Sequence, residues 1–502
     1  MKNKSGILKL VLGPLFAILF IIFIDLDPQN PLINTTAAIA IWMAFWWITE
    51  AVPLAVTALL PIILYPTLGV MSGKDVAPIY FNHIIFLFIG GFLVALAMQK
   101  WKLHRRIALR ILLVFGSKPP NILFGFMLAT AFLSMWISNT ATTMMMVPIA
   151  LSIIYKLEEI IDTDKVKKYS IGIFLGIAYS ASIGGVATLV GTPPNLSFAR
   201  ILTILFPNAP EITFASWLMY ALPISILFII ILWAILSFIF NPKSKEFEID
   251  PHLFREEYNK LGRMSFEEKI VLIDFILLAV LWVFRANIKI GDFTIPGWSQ
   301  LFPYPNYLND GTVAIAMALI LFMIPSLKDK KQRILDWDTA AKLPWNIVLL
   351  FGGGFALASG FKVSGLADWL GMQLQGFGVF HPIVIVIVIC LFVTFLTELT
   401  SNTATAEMLL PIIGGLAIAI KINPLFLMIP ATISCSFAFM LPVATPPNAI
   451  IFGTNRVKIG DMVKVGLWLN FIGAILITIS IYLIGKTVFG IDLAQFPQWA
   501  LN

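Results

Sequence analysis

Two short runs of hydroxyl and amide side chains stand inside otherwise apolar sequence. One is Ser138-Asn139-Thr140-Ala141-Thr142, with Pro148 ten residues after the serine; the other is Ser401-Asn402-Thr403-Ala404-Thr405, with Pro411 again ten after. A Ser-Asn-Thr triplet carries two hydroxyls and an amide, able to donate to an anion and to present oxygens to a cation. Seven of the eleven positions in the two runs are identical, at an offset of 263 residues. Each such group costs roughly 2–7 kcal/mol in hydrocarbon if left unpaired. A single run would read as packing glue between membrane helices. Two runs in one register point to a site, because packing glue needs no repeated register.

A second pair of motifs follows the same logic. Thr192-Pro193-Pro194-Asn195 recurs as Thr445-Pro446-Pro447-Asn448 at an offset of 253. Two consecutive prolines remove two backbone donors and break a helix. Within a bilayer the freed groups are tolerated only beside protein or a water-filled cavity. Gly191 and Ala444, just before the breaks, keep side-chain bulk away from the freed carbonyls. Broken helices of this kind offer carbonyls to a small cation and half-helix N-termini to a carboxylate. Neither Lys nor Arg occurs in 134–148, 188–195, 397–411 or 444–448. An anion held there is neutralised by helix dipoles, by hydroxyl and amide donors, and by co-bound cations. That favours coupling to a cation such as Na⁺, although an exchanger that never crosses empty also balances charge.

Other candidates carry less. Glu398 and Glu407 flank the second triplet and could tune ion or proton coupling, since an intramembrane carboxylate is a functional candidate by default. Glu407 has Met144 as its repeat mate, which places it outside the symmetric set. Glu50, between two spans, reads as a structural partner of a helix end. His83, His104, His252 and His381 are scattered without ligand spacing, so no metal centre of the zinc type is expected.

The elements that must position these motifs are membrane helices. Of 502 residues, 59% are hydrophobic and 12% charged, against ~25% charged in soluble chains. With a mean hydropathy of +0.91, a soluble enzyme, a nucleic-acid binder and a disordered scaffold are excluded. Cys390 and Cys435 both lie in apolar runs, so no disulfide framework is expected. Lys2, Lys4 and Lys9 precede an apolar run over 10–24; no small-x-small cleavage site follows, so it reads as a retained first span.

Apolar runs place further spans at 34–49, 53–70, 80–99, 168–206, 212–240, 267–285, 310–325, 341–375, 424–456 and 462–488. Strand-like alternation is missing from them, so they are expected to be helical. Segments 121–158 and 382–420 are too long for one helix; each is a pair of spanning helices or a re-entrant hairpin. Either way eleven single crossings remain. With the N-terminus inside, the cytoplasmic segments hold 25 of the 34 Lys and Arg residues, and the opposite side four. That asymmetry, which also accounts for the net charge of +7, predicts a cytoplasmic N-terminus and an external C-terminus. Five crossings separate the fourth span from the ninth, so the two motif sets enter from opposite faces. This is an inverted repeat, an architecture of secondary transporters.

The paired SNT runs, the paired TPPN breaks and Thr49-Glu50-Ala51-Val52-Pro53 resemble the divalent anion:sodium symporter family over essentially the whole chain. The resemblance implies an all-α polytopic membrane protein with about eleven transmembrane helices plus two re-entrant hairpins, working as a homodimeric elevator in the cytoplasmic membrane. It implies carriage of small di- or tricarboxylates or, in some branches, sulfate. Carried over by motif, one Na⁺ site would use Ser134, Ser138, Asn139 and the Gly191 carbonyl. The other would use Thr397, Thr400, Asn402 and the Ala444 carbonyl. Substrate carboxylates would meet Asn139, Thr140, Thr192, Ser401, Asn402, Thr403 and Thr445, with Pro446 lining the pocket. No cofactor is implied beyond Na⁺ as coupling ion, and no nucleic-acid partner. The family also contains dicarboxylate exchangers, so symport and antiport both remain open.

On this basis the chain divides as follows. Residues 1–120 hold the scaffold helices of repeat one, and 121–206 its transport-domain hairpin and broken helix. Residues 207–240 form a scaffold helix and 241–266 a cytoplasmic linker. Residues 267–380 hold the scaffold helices of repeat two, 381–490 its hairpin, broken helix and last helix, and 491–502 an external tail. An intramembrane hydrolase would need a base beside a nucleophile, and no histidine lies near either triplet. An ion channel would need a charged ring or a carbonyl filter motif, and neither is evident.

Overall fold

The computed structural model describes residues 2–115, 118–159, 163–242, 252–290, 293–493 and 495–501. The first half runs through α1 (Lys2–Phe23), α2 (Pro31–Thr49), the short α3 (Leu54–Thr57), α4 (Leu60–Thr67) and α5 (Gly73–Val76), then α6 (His83–Lys100) and α7 (Leu103–Val114). It continues with α8 (Pro119–Ser134), α9 (Asn139–Glu158), α10 (Thr163–Val186), α11 (Pro193–Leu205) and α12 (Phe214–Phe240). The second half comprises α13 (His252–Lys260), α14 (Phe266–Val283), α15 (Asp310–Met323), α16 (Trp337–Ala340), α17 (Trp345–Ser364) and α18 (Leu366–Gln373). It ends with α19 (Pro382–Thr397), α20 (Asn402–Ala419), α21 (Pro424–Ser434), α22 (Pro446–Phe452) and α23 (Ile459–Phe489). A small antiparallel hairpin of β1 (Ile288–Ile290) and β2 (Phe293–Ile295) decorates the loop after α14.

Among the described residues nine helices are long and apolar enough to cross a membrane. The nine include the second arms of both hairpins, α9 and α20, and omit four of the expected segments. Segment 53–70 is broken at Ala58 and Leu59 into α3 and α4, with Pro61 in the first turn of α4 and Pro66 inside it. Segment 424–456 is broken after α21. Segment 267–285 forms α14 but carries Glu267, Glu268, Lys269 and Asp274, and α15 has only 14 residues. Residues 243–251 of the expected linker lie outside the described residues; α13 occupies the part that follows.

Arms α8 and α19 have 16 residues each, ~24 Å at 1.5 Å per residue and short of the ~30 Å hydrocarbon core. The chain turns back at 135–138 and at 398–401. Proline at the first helical position sets the start of both arms, where a missing N–H costs nothing. The breaks fall where the sequence places them: α11 begins at Pro193 and α22 at Pro446.

Packing reproduces the repeat. Helix α11 packs on α20 and α21, while its counterpart α22 packs on α9 and α10. Each broken helix therefore crosses onto the other repeat's hairpin, which brings the two motif sets together. Helix α21 is buried along its whole length, and α10 over almost all of its span. The repeated glycines of α6 and α17 permit close approach. A Cβ on Gly90 would stand 2.5 Å from the Ala314 carbonyl carbon, and one on its mate Gly353 2.5 Å from the Ala58 Cα.

Helix α7 is an amphipathic element that the search for long apolar runs passes over. Its buried face is Leu103, Arg106, Ala108, Leu109 and Leu112. Arg106 is held by Glu268 at the start of α14, Nη2 to Oε2 3.0 Å, and by the Gly262 carbonyl at 3.0 Å. A buried guanidinium with a carboxylate and a carbonyl partner is compensated for its lost hydration.

Candidate functional site

Both hairpin tips and both helix breaks open onto one cavity of about 700 Å³. Ser138, Asn139 and Thr140 come from the first tip, and Thr400, Ser401, Asn402 and Thr403 from the second. Val190, Gly191, Thr192 and Pro193 come from one break, and Val443, Ala444, Thr445, Pro446 and Pro447 from the other. The remaining wall is built by the end of α2 with α3, by Phe92 of α6 and by the start of α17. All seven residues expected to meet substrate carboxylates line this space, and so does Pro446. Six of the eight cation candidates do too, namely Ser138, Asn139, Gly191, Thr400, Asn402 and Ala444.

Ser134 and Thr397 lie behind the wall, fully buried, and act through the asparagines. Ser134 Oγ stands 2.6 Å from the Asn139 side chain and donates to the Ala181 carbonyl at 2.7 Å. Thr397, its mate at offset 263, stands with Oγ1 2.8 Å from Asn402 Oδ1 and 2.9 Å from the Cys435 carbonyl, and its one hydroxyl hydrogen serves one of the two at a time. The Asn139 amide faces three oxygens: the Ala181 carbonyl at 3.2 Å, Ser134 Oγ at 2.6 Å and the Gly191 carbonyl at 3.3 Å when its nitrogen turns towards them. Such a knot of oxygens is satisfied by a donating amide nitrogen, or by a hard cation with the amide oxygen turned inward. No bulk is available to fill it. A Cβ on Gly185 would lie 2.5 Å from Asn139 Oδ1, and one on Gly191 would clash with the Gly185 carbonyl.

Three residues whose part was not foreseen hold the breaks open. Asn195, fully buried, donates through Nδ2 to the carbonyls of Val186 at 3.1 Å and Thr188 at 2.7 Å. Asn448 does the same for Ala438 and Leu441, both at 3.0 Å. The signal was present, since both end the TPPN motif, but the prolines drew the attention. Thr188 donates to the Met135 carbonyl at 2.5 Å and accepts from the Gly191 N–H at 3.1 Å, tying the first break to the first tip. Across the repeats, the hydroxyls of Thr192 and Ser436 stand 3.4 Å apart.

The two acids beside the second triplet separate. Glu398 accepts from the backbone N–H groups of Phe439 at 2.7 Å, Met440 at 2.9 Å and Leu441 at 3.1 Å, and from Asn470 Nδ2 at 3.0 Å. It is the brace of the second break. Glu407 is fully buried away from the cavity, accepts from Ser197 at 2.5 Å and packs on Gly354 of α17.

No Lys, Arg or His lines the cavity among the described residues. Four helices begin on its wall instead, α9 at Asn139, α20 at Asn402, α11 at Pro193 and α22 at Pro446. Their partial positive charge suits carboxylate oxygens; α9 and α20 also begin with backbone N–H groups, which the paired prolines deny to α11 and α22. The arrangement can hold an anion with two ends between paired hydroxyls and amides, beside oxygen clusters fit for cations.

Solved structures share the fold. The transporter YdaH of Alcanivorax borkumensis matches with a TM-score of 0.57 at 13% identity, over 86% of this chain and 90% of its own. MtrF of Neisseria gonorrhoeae, described among antimetabolite efflux pumps, matches with a TM-score of 0.53 at 13% identity, over 85% and 84%. Nearer in sequence, the sodium-dependent dicarboxylate transporter SdcS of Staphylococcus saprophyticus is 43% identical over 499 residues, 98% of this chain and 94% of that protein. SdcS of a Staphylococcus aureus strain is 43% identical over 502 residues, with the same shares covered. Residues 7–491 match the family described as the sodium:sulfate symporter transmembrane region. With that match spanning nearly the whole chain, and with the paired motifs meeting in one cavity, the chain belongs to this family, the divalent anion:sodium symporters that its sequence resembles.

Proposed function

We propose that this chain carries small di- or tricarboxylates of the succinate, malate, fumarate and 2-oxoglutarate class across the cytoplasmic membrane, by Na⁺-coupled symport. The observation that carries the reading is the convergence of two motif-matched half-sites in one cavity that no basic side chain among the described residues lines. One half-site suits each end of a dianion. The charge is balanced by helix N-termini and by cations on the oxygen clusters around Asn139 and Asn402. The relatives named as sodium-dependent dicarboxylate transporters support symport over exchange, and they are transporters rather than enzymes.

Na⁺ binds first. With Ser134, Ser138 and Gly191 it orders the Asn139 tip, and with Thr397, Thr400 and Ala444 the Asn402 tip. Each asparagine then turns its remaining polar atom to the substrate, whose carboxylates meet Thr140, Thr192, Ser401, Thr403 and Thr445 over the face of Pro446. The loaded hairpins and broken helices move as one body against α2, α6 and α17. Only a load that binds the crossing-competent form better can drive such a movement. Helix α12 packs against α10, α8 and α23, which supports moving it with that body, where the sequence reading put 207–240 in the scaffold. The N-terminus is cytoplasmic and the C-terminus external, testable by cysteine labelling from either side. A homodimer completes the reading, testable by the mass of the purified protein in nanodiscs.

The deciding experiment is labelled succinate uptake into proteoliposomes, with and without an inward Na⁺ gradient, and with and without internal dicarboxylate. Na⁺-driven uptake into empty vesicles is the expected result, and replacing Na⁺ by choline abolishes it. Uptake only into preloaded vesicles, indifferent to Na⁺, would make the chain an exchanger. Silence in every arm would send the search to sulfate and citrate.

A further inference from the structure

The one charged side chain that lines the cavity, among the described residues, is an acid: Glu50. Its place as a helix-end partner, expected from sequence, is only half of what the structure gives it. Glu50 caps the C-terminus of α2 with φ 46 and ψ 44, in the left-handed region. Gly or Asn is the usual residue at such a turn. Packing does not account for the glutamate, because the side chain is exposed. Nor does pairing, since no hydrogen bond or ion pair to its carboxylate occurs among the described residues. Lys9, the basic group bound next to it, donates to the Thr49 carbonyl at 3.0 Å instead. The carbonyl end of α2 bears partial negative charge as well, which Lys9 offsets in part.

An unpaired carboxylate in a cavity that takes dianions needs a reason. We infer that Glu50 is a first subsite for the coupling cation, and that its charge holds a dianion off until a cation has entered. The inference rests on the symport reading above. Before any ion binds, the lining carries one full negative charge and no positive one. Across a water-filled space several ångströms wide, one carboxylate weakens dianion binding about three- to tenfold and strengthens cation binding by a smaller factor. Na⁺ at Glu50 or at the asparagine clusters removes the repulsion. The order of binding is thereby set by charge on the wall facing the tips, as well as by the shape of the tips.

Purified full-length protein tests this with three variants. Glu50→Gln removes the charge, Glu50→Asn removes it with a residue that tolerates the left-handed backbone, and Glu50→Asp keeps it. Two quantities are read: the Na⁺ concentration for half-maximal succinate uptake in proteoliposomes, and succinate affinity in Na⁺-free choline buffer. In the neutral variants half-saturating Na⁺ rises about two- to fivefold at low ionic strength, and the shift shrinks in high choline chloride. Na⁺-free succinate binding tightens about three- to tenfold, and Glu50→Asp behaves as wild type. The opposite movements of the two affinities are the signature. Unchanged affinities, or a joint fall of both with the maximal rate, overturn the inference while leaving symport intact. Wild-type protein without Na⁺-driven uptake overturns the symport reading, and the inference with it.

Discussion

The two half-sites share their ligands and differ in what holds those ligands in place. In the first repeat the break is short, from Ala187 to Thr192, because α10 stays helical to Val186. In the second, α21 ends at Ser434 and the chain is unwound through Thr445. The longer break frees more backbone donors, and a buried donor without a partner costs ~1–3 kcal/mol. Glu398 takes up three of them. Its repeat mate is Met135, whose backbone carbonyl receives the Thr188 hydroxyl; the mate of Thr188 is Leu441, one of the residues Glu398 holds. The same strut between tip and break is thus made by a hydroxyl on one side and a carboxylate on the other. On the proposed reading, symmetry is kept where a two-ended anion imposes it, on the atoms that line the cavity. It is free to lapse one layer behind, where any partner that satisfies the backbone suffices.

The largest effects should fall on the symmetric layer and be equal on both sides. Asn139→Ala and Asn402→Ala each remove groups proposed to serve an ion and a substrate at once, so each is expected to lower succinate uptake about a hundredfold or more. Wild-type-like uptake in either variant would break the shared-site proposal and with it the equivalence of the halves. Effects in the supporting layer should be unequal. Glu398→Ala strands three backbone donors and Asn470, lowering uptake about tenfold and the thermal midpoint in detergent with it. Met135→Leu stays within about twofold, because only the Met135 carbonyl is used.

Smaller changes sharpen the contrast. Gly185→Ala pushes a methyl against Asn139 Oδ1 and should raise half-saturating Na⁺ by about fivefold. Its mate already carries that methyl as Ala438, so Ala438→Gly should leave the Na⁺ curve within about twofold. A smaller effect than that of Gly185→Ala belongs to Thr188→Val, which loses the hydroxyl strut and should weaken Na⁺ activation about threefold. An effect of Ala438→Gly equal to that of Gly185→Ala would mean that both oxygen clusters are built alike.

Much of the site was legible because its chemistry comes twice. Ser-Asn-Thr and Thr-Pro-Pro-Asn stand out against apolar sequence, where unpaired polar groups are costly and so few are kept without a use. The positions of the breaks were legible too, since consecutive prolines admit no helix through them. Asn195 and Asn448 were visible as residues and hidden as clamps. Their role depends on which carbonyls the break frees, and no spacing rule gives that. Helix α7 escaped because an amphipathic helix lacks the continuous apolar run that marks a span.

The amino-acid sequence by itself determined the class, the repeat and most of the polar residues that line the cavity. Composition decides the solvent, and side-chain type at a repeated offset decides the chemistry. Only the tertiary structure decided that Ser134 and Thr397 act from behind the wall, that Glu398 braces while Glu407 lies buried elsewhere, and that Glu50 faces the cavity. Those assignments turn on which oxygen stands within hydrogen-bond distance of which donor, and on which side of a wall a side chain falls. In a crossed inverted repeat such relations join residues hundreds of positions apart, and only the packing of α11 on α20 and of α22 on α9 brings them together.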